Sequence, residues 1–194
     1  MRKIIGIILI VFGISVVGVA MGMRMYGESK QKTMMRRYEK SIENYDASKE
    51  ITNNNSPSDK SPEETTGVIG IIRIPKIDLK VAVGEGVDME TLKFAVGHFP
   101  NTAMPGESGN FCVAGHRSYT YSEYFNRLDE VEKGDEIYVK NKKGEFKYVV
   151  YEKKVVMPSE YSVLDPTNDA TLTLVTCTPI RVATHRLIIK ARMQ

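Results

Sequence analysis

From Ile4 to Met23 the chain carries no charged residue. Twenty residues at about 1.5 Å each reach about 30 Å, the thickness of a bilayer's hydrocarbon core. In lipid such a run is satisfied as a helix, because its backbone groups must find partners within the segment. Arg2 and Lys3 precede the run and Arg24 closes it. The competing reading is a cleaved secretory signal, since Gly18-Val19-Ala20 resembles a small-residue cleavage site. The run continues past Ala20, which favours an uncleaved anchor. Either way, the rest of the chain is expected outside the cytoplasm. Charge alone leaves the orientation open: Arg2 and Lys3 lie on one side, and Arg24, Lys30, Lys32, Arg36 and Arg37 on the other. Gly18 and Gly22 stand at a helix-pairing spacing, a weak signal because Gly is common in such helices.

The organisation expected from this start is a short cytoplasmic N-terminus (1–3), a transmembrane anchor (4–23), a juxtamembrane helix and flexible linker (24–66) and a folded domain (67–194). Met25 to Glu50 is polar, mixed in charge and rich in helix formers; Arg36 and Lys40 neighbour Glu39 and Glu43 at supporting spacings. Ile51 to Thr66 is Asn, Ser, Pro and charge, with almost nothing to bury, and should let the domain stand off the membrane.

The domain reads as short strands. Gly67–Ile74 and Ile77–Val83 are β-branched runs split by Pro75-Lys76. Asp88–Phe94 fits a turn or two of helix with Asp88 as N-cap. Phe99–Asn110 reads as loop, Phe111–Ala114 as a strand, and Ser122–Leu128 as a short helix. Glu136–Lys140 and Glu145–Val156 form a hairpin about Asn141–Gly144. Met157–Asp169 is loop, and strands follow over 171–178 and 186–192. Many short strands with few helices predict a mainly β fold, a closed or nearly closed antiparallel barrel.

Thr171 to Thr178 alternates Thr and Leu and reaches Cys177 before Pro179. On that alternation Leu172, Leu174 and Thr176 face one way, and Thr173, Val175 and Cys177 the other. With the leucines on the core, Cys177 stands on the outer face at a strand end. In the last strand Leu187, Ile189 and Ala191 make the better core face, which puts Arg186 outside as well. A cysteine nucleophile needs a proton-transfer partner and a group that stabilises the developing oxyanion. The histidines are His98, His116 and His185. His116 lies on the phase of Cys112 and Ala114 at a strand end. His98, in a Gly-His-Phe-Pro loop, is expected to stabilise that loop, and His185 faces away from Arg186. The formal net charge of +3 does not suggest a nucleic-acid binder, and the cysteine and histidine spacings indicate no zinc site.

Cys177 within TLVTC, Gly115-His116-Arg117 upstream and His185-Arg186-Leu187 downstream resemble the signature of sortases, membrane-anchored cysteine transpeptidases of Gram-positive bacteria. The resemblance runs from about Gly67 to the C-terminus. It implies a closed eight-stranded β-barrel with short helices and a catalytic set of His116, Cys177 and Arg186, with no metal or organic cofactor. Class D fits best: the linker lacks the Asp-Pro-aromatic lid motif of class C, and no second span follows. Class C is the second choice, since CTPIRVATHRL is close to its pattern. The implied reaction cleaves an LPxTG-type sorting signal between Thr and Gly through a Cys177 thioester. The acceptor is an amine of a peptidoglycan precursor, or a pilin lysine if the enzyme polymerises pili. Thr176 is expected to pack in the core, with positioning of Cys177 as the lesser role. The alternatives are a cysteine hydrolase without transfer and a non-catalytic, peptide-binding adaptor. Cys112 invites a disulfide with Cys177, but the motif calls for a free thiolate at Cys177.

Overall fold

The structure is a computed structural model that describes residues 2–51, 67–117 and 124–194. The β-branched runs form the strands their alternation predicts. Along the chain these are β1 (Val68–Ile74), β2 (Leu79–Glu85), β3 (Val96–His98), β4 (Gly109–Ala114), β5 (Glu136–Asn141), β6 (Gly144–Val156), β7 (Ala170–Thr178) and β8 (His185–Met193). They close into a barrel in the order β1-β2-β3-β4-β7-β8-β6-β5. Closure leaves no free sheet edge. The interior takes one face of each strand: Ile72 and Ile74, Val81 and Val83, Phe111 and Val113, Leu172 and Leu174, and Leu187 and Ile189 are all buried there.

Two ladders differ from the antiparallel expectation: β2 pairs with β3, and β4 with β7, in parallel. Alternation fixes which face a residue takes but not the direction of its partner. Parallel neighbours need a long connection; between β4 and β7 that connection carries the β5–β6 hairpin. β3 was not anticipated at all, being three residues long with a glycine at its centre. The helix α2 (Met89–Phe94) is capped as expected: Asp88 accepts from the backbone N–H of Glu90 and Thr91, both at 2.9 Å. The expected Ser122–Leu128 helix lies partly outside the described residues. Leu128–Glu130 forms a single 3-10 turn, as does Tyr161–Leu164.

One continuous helix, α1 (Arg2–Ile51), carries both the apolar run and the juxtamembrane segment. It is long and apolar enough to cross a membrane, and none of its most apolar window is buried against the barrel. Its later turns do not stand off from the domain. Tyr38 and Ile42 pack with Val68 and Ile71 of β1, Ala82 of β2 and Ala95. The Tyr38 hydroxyl donates to the Ile69 carbonyl at 2.7 Å, Gln31 Nε2 donates to the Lys80 carbonyl at 3.3 Å, and Lys80 pairs with Glu39 at 2.8 Å. Apolar residues on the outer face of β1 and β2 need cover, and Tyr38 and Ile42 supply it. Fully burying side chains of this size is worth about 1.5–3 kcal/mol each. The linker beyond Ile51 lies outside the described residues.

Candidate active site

The end of β7 is the point where three elements converge. β8 runs antiparallel beside it and sets Arg186 directly opposite Cys177. β4 runs parallel on the other side, with Ala114 level with Val175 and the Gly115 N–H donating to the Val175 carbonyl at 3.0 Å. Two residues further along each strand stand His116 and Cys177. Thr176 is buried and its hydroxyl donates to the Gly115 carbonyl at 2.8 Å, so it packs in the core and also fixes the spacing of the two strand ends.

Cys177 is half-buried and free. His116 is half-buried too, and its carbonyl accepts from the Phe125 N–H at 3.3 Å. The Arg186 guanidinium uses Nη1 to reach the Ala183 carbonyl at 3.2 Å and the His185 carbonyl at 3.0 Å. Among the described residues no bond engages its other two nitrogens. His185 turns aside to the Thr184 hydroxyl at 3.0 Å.

The outer face of β7 and β8 is not bare, contrary to a simple inside–outside reading. The 157–164 segment roofs it, and Val163 packs with Val175 and Ile188 beside Phe99, Val156 and Leu164. A cavity of about 300 Å³ remains under this roof, lined by these residues together with Met157, Pro158, Glu160, Tyr161 and Arg186. The groove therefore opens on the same arginine that faces Cys177. Its residues are spread over four separate segments of sequence, so no local pattern announces it.

Arg117 is a residue whose work sequence reasoning passed over. Its side chain is only 5% exposed, and it pairs with Asp129 at 2.7 Å. It also donates to the Asn126 carbonyl at 3.2 Å and to the Thr178 hydroxyl at 3.1 Å. It thus ties the residue after His116 to the residue after Cys177.

His98 is buried and bound on both ring nitrogens. Nδ1 lies 2.8 Å from a Glu85 carboxylate oxygen, and Nε2 lies 2.9 Å from the Thr102 hydroxyl and 3.2 Å from the Ala103 carbonyl. Thr102 spends its own proton on the Phe99 carbonyl at 2.8 Å, so it accepts from Nε2. His98 is a loop-fastening residue, as expected. Cys112 is free and fully buried, with no bridge to Cys177; its register partner on β7 is Thr173. Burial pushes its thiol up to about 12.

Residues 72–194 match the sequence model of the sortase domain. The chain is a member of the sortase family. It is similar to Sortase D of Bacillus subtilis (34% identical over 117 residues, 60% of this chain and 57% of that one). It is also similar to Sortase A of Listeria monocytogenes (32% over 121 residues, 62% and 54%). The match thus spans little more than half the length of these curated relatives. Among solved structures, a Sortase D5 transpeptidase of Clostridium perfringens superposes with a TM-score of 0.71 at 33% identity, covering 86% of this chain and 99% of that one. A lid mutant of Corynebacterium diphtheriae Sortase A gives 0.65 at 29%, covering 80% and 90%. The eight-stranded barrel is the sortase barrel, and the likeness to two class D members fits the class D expectation.

Proposed function

We propose that this sortase is a membrane-anchored cysteine transpeptidase that cleaves an LPxTG-type sorting signal between Thr and Gly. The observation that carries the proposal is the cross-strand pairing of Cys177 with Arg186, whose side chain lines a largely apolar groove. The groove takes the apolar part of the signal and lays its Thr carbonyl over the thiol. Cys177 Sγ attacks that carbonyl carbon, and Arg186 donates hydrogen bonds to the oxyanion. As the C–N bond breaks, His116 gives a proton to the leaving Gly amine, and a thioester remains on Cys177. An incoming amine then attacks the thioester carbon, His116 takes its proton, and Cys177 is released. The acceptor is an amine of a peptidoglycan precursor on the outer side of the membrane, where α1 holds the domain. Transfer to a pilin lysine differs only in the second nucleophile.

Because α1 covers barrel residues, the test uses the full chain in detergent micelles with a fluorogenic LPxTG peptide, with and without an added amine. Cleavage that needs Cys177 and yields an amine-ligated product is expected. Cleavage whose products ignore the amine would make the protein a hydrolase, and unchanged turnover by Cys177→Ala would overturn the assignment.

A further inference from the structure

The last turn of the apolar run and α2 enclose a second cavity, far in sequence from the catalytic residues. It measures about 210 Å³ and is lined by Gly22, Met23, Tyr26, Gly27, Lys93 and Phe94. The Tyr26 ring meets Phe94 edge-on at 6.2 Å, and the ammonium groups of Lys30 and Lys93 stand 4.6 and 5.3 Å from the centre of the Phe94 ring. At the other end of α2, Met89 is 72% exposed. A Cβ placed on Gly22 would meet nothing within 4 Å, so the space there is open.

The height of this cavity follows from α1. Met23 is the last residue of the uncharged run. From Gly22 to Gly27 the helix rises about 7.5 Å, and the headgroup layer outside a bilayer's hydrocarbon core is about 5–8 Å deep. With 4–23 in lipid, the cavity starts at the edge of the hydrocarbon core, at Gly22 and Met23, and runs outward through that layer to Gly27, with Lys93 and Phe94 of α2 beside it. The chemistry suits the place. A tyrosine, a phenylalanine and two lysines around an apolar hollow are what an interface favours, with rings at headgroup level and ammonium groups reaching toward phosphate.

We propose that α2, with Met89, Lys93 and Phe94, is a membrane-contact surface resting in the headgroup layer, and that a phospholipid of that leaflet fills the cavity. The inference rests on the single-span reading of α1. It also sets where the catalytic end of the barrel sits. The Phe94 carbonyl accepts from the Tyr124 hydroxyl at 3.0 Å, and next to Tyr124 the Phe125 N–H holds the His116 carbonyl. Two hydrogen bonds thus join the membrane contact to the histidine segment, so the surface fixes the height at which a membrane-borne acceptor is met.

The test is the full chain carrying Cys177→Ala, reconstituted in phosphatidylethanolamine–phosphatidylglycerol vesicles, with a single spin label at Ile10→Cys, Met89→Cys or Val155→Cys. Val155 is exposed on β6, which lies across the barrel from β3. Relaxation by oxygen and by a water-soluble nickel complex reports the depth of each label. The expected order is Ile10 deep in lipid, Met89 at the interface and Val155 in water. Ile10 open to nickel would sink the span reading and this inference with it. Ile10 in lipid with Met89 as open to nickel as Val155 would overturn the contact surface alone. For the cavity, native mass spectrometry should find one retained phospholipid, lost in Gly22→Leu; retention unchanged by Gly22→Leu would overturn its occupancy.

Discussion

Cys177 and Arg186 are direct partners across the β7–β8 ladder. Side chains so placed share a face, with Cβ atoms about 4.5–5.5 Å apart. From that position the Arg186 side chain can reach toward a carbonyl oxygen held by the sulfur, the role proposed for it. Cys177→Ala is expected to abolish peptide cleavage. Arg186→Lys should keep the charge but lose the planar fork, with kcat down about 100-fold or more, the scale of losing one oxyanion donor. Chromatographic assay of cleaved and amine-ligated peptide reads both; an Arg186→Lys enzyme at full rate would remove Arg186 from the mechanism.

Cys112 gives a contrast within the same molecule. Its thiol is buried and held near 12, so at pH 8 it stays protonated and shut away. Iodoacetamide should therefore label the folded protein once, at Cys177, and a Cys177→Ala chain not at all, as read by intact mass. The same shift bears on stability. Cys112 in the fold lies above its ordinary 9.0, and burial likewise raises Tyr38 to about 12 from 10.0. Groups raised in the fold stabilise it fully below their unfolded values and lose that contribution as pH climbs through the folded ones. The denaturant midpoint should hold steady to about pH 9 and fall between about 9 and 12. Cys112→Ala should remove the thiol's part of that slope, measured by urea titration across the range.

Much of this arrangement was legible because it rests on strand alternation. The Thr-Leu pattern of 171–178 put Leu172 and Leu174 in the core, and Leu187 and Ile189 lie on the same side of the neighbouring strand. Asp88 announced its helix because a carboxylate before polar-apolar alternation is a local cap. What was not legible depends on contacts distant in sequence. The parallel partnership of β4 with β7 is one such feature. The roof of Val163 over Val175 and Ile188 is another. The docking of Tyr38 and Ile42 on β1 is a third, because Met25–Glu50 is mostly polar and mixed in charge, and only the barrel reveals which of its few apolar residues are buried.

Arg117 shows how such distant contacts serve the site. Its guanidinium bridges Asp129 and Thr178, and its backbone follows His116. Arg117→Met should leave the Thr178 hydroxyl and Asn126 carbonyl without their donor, costing about 1–3 kcal/mol of stability. The more telling effect is kinetic. A small shift between the His116 and Cys177 strand ends should lower kcat about ten- to a hundredfold with KM nearly unchanged. Arg117→Lys should recover part of it by keeping the Asp129 pair. Steady-state kinetics beside thermal melts separate the two effects: lost stability with full kcat would make Arg117 a purely structural tie.

Gly115 makes the same point from the side of packing. It precedes His116, its carbonyl accepts from Thr176, and a Cβ built on it would run into the Phe125 ring. That approach is impossible without movement, and Phe125 is a fully buried core ring whose own N–H holds the His116 carbonyl. Gly115→Ala must push the ring or the strand end aside. The cost expected for such overpacking is about 1–3 kcal/mol, seen as a lower melting temperature. His116 should move with its carbonyl's partner, so activity should fall beyond what the loss of folded protein explains. Phe125→Leu in the Gly115→Ala background would make room for the new methyl group. Recovery of kcat in that double variant would show that the glycine is needed for the close approach of Phe125, whereas no recovery would trace its effect to the backbone of the strand end itself.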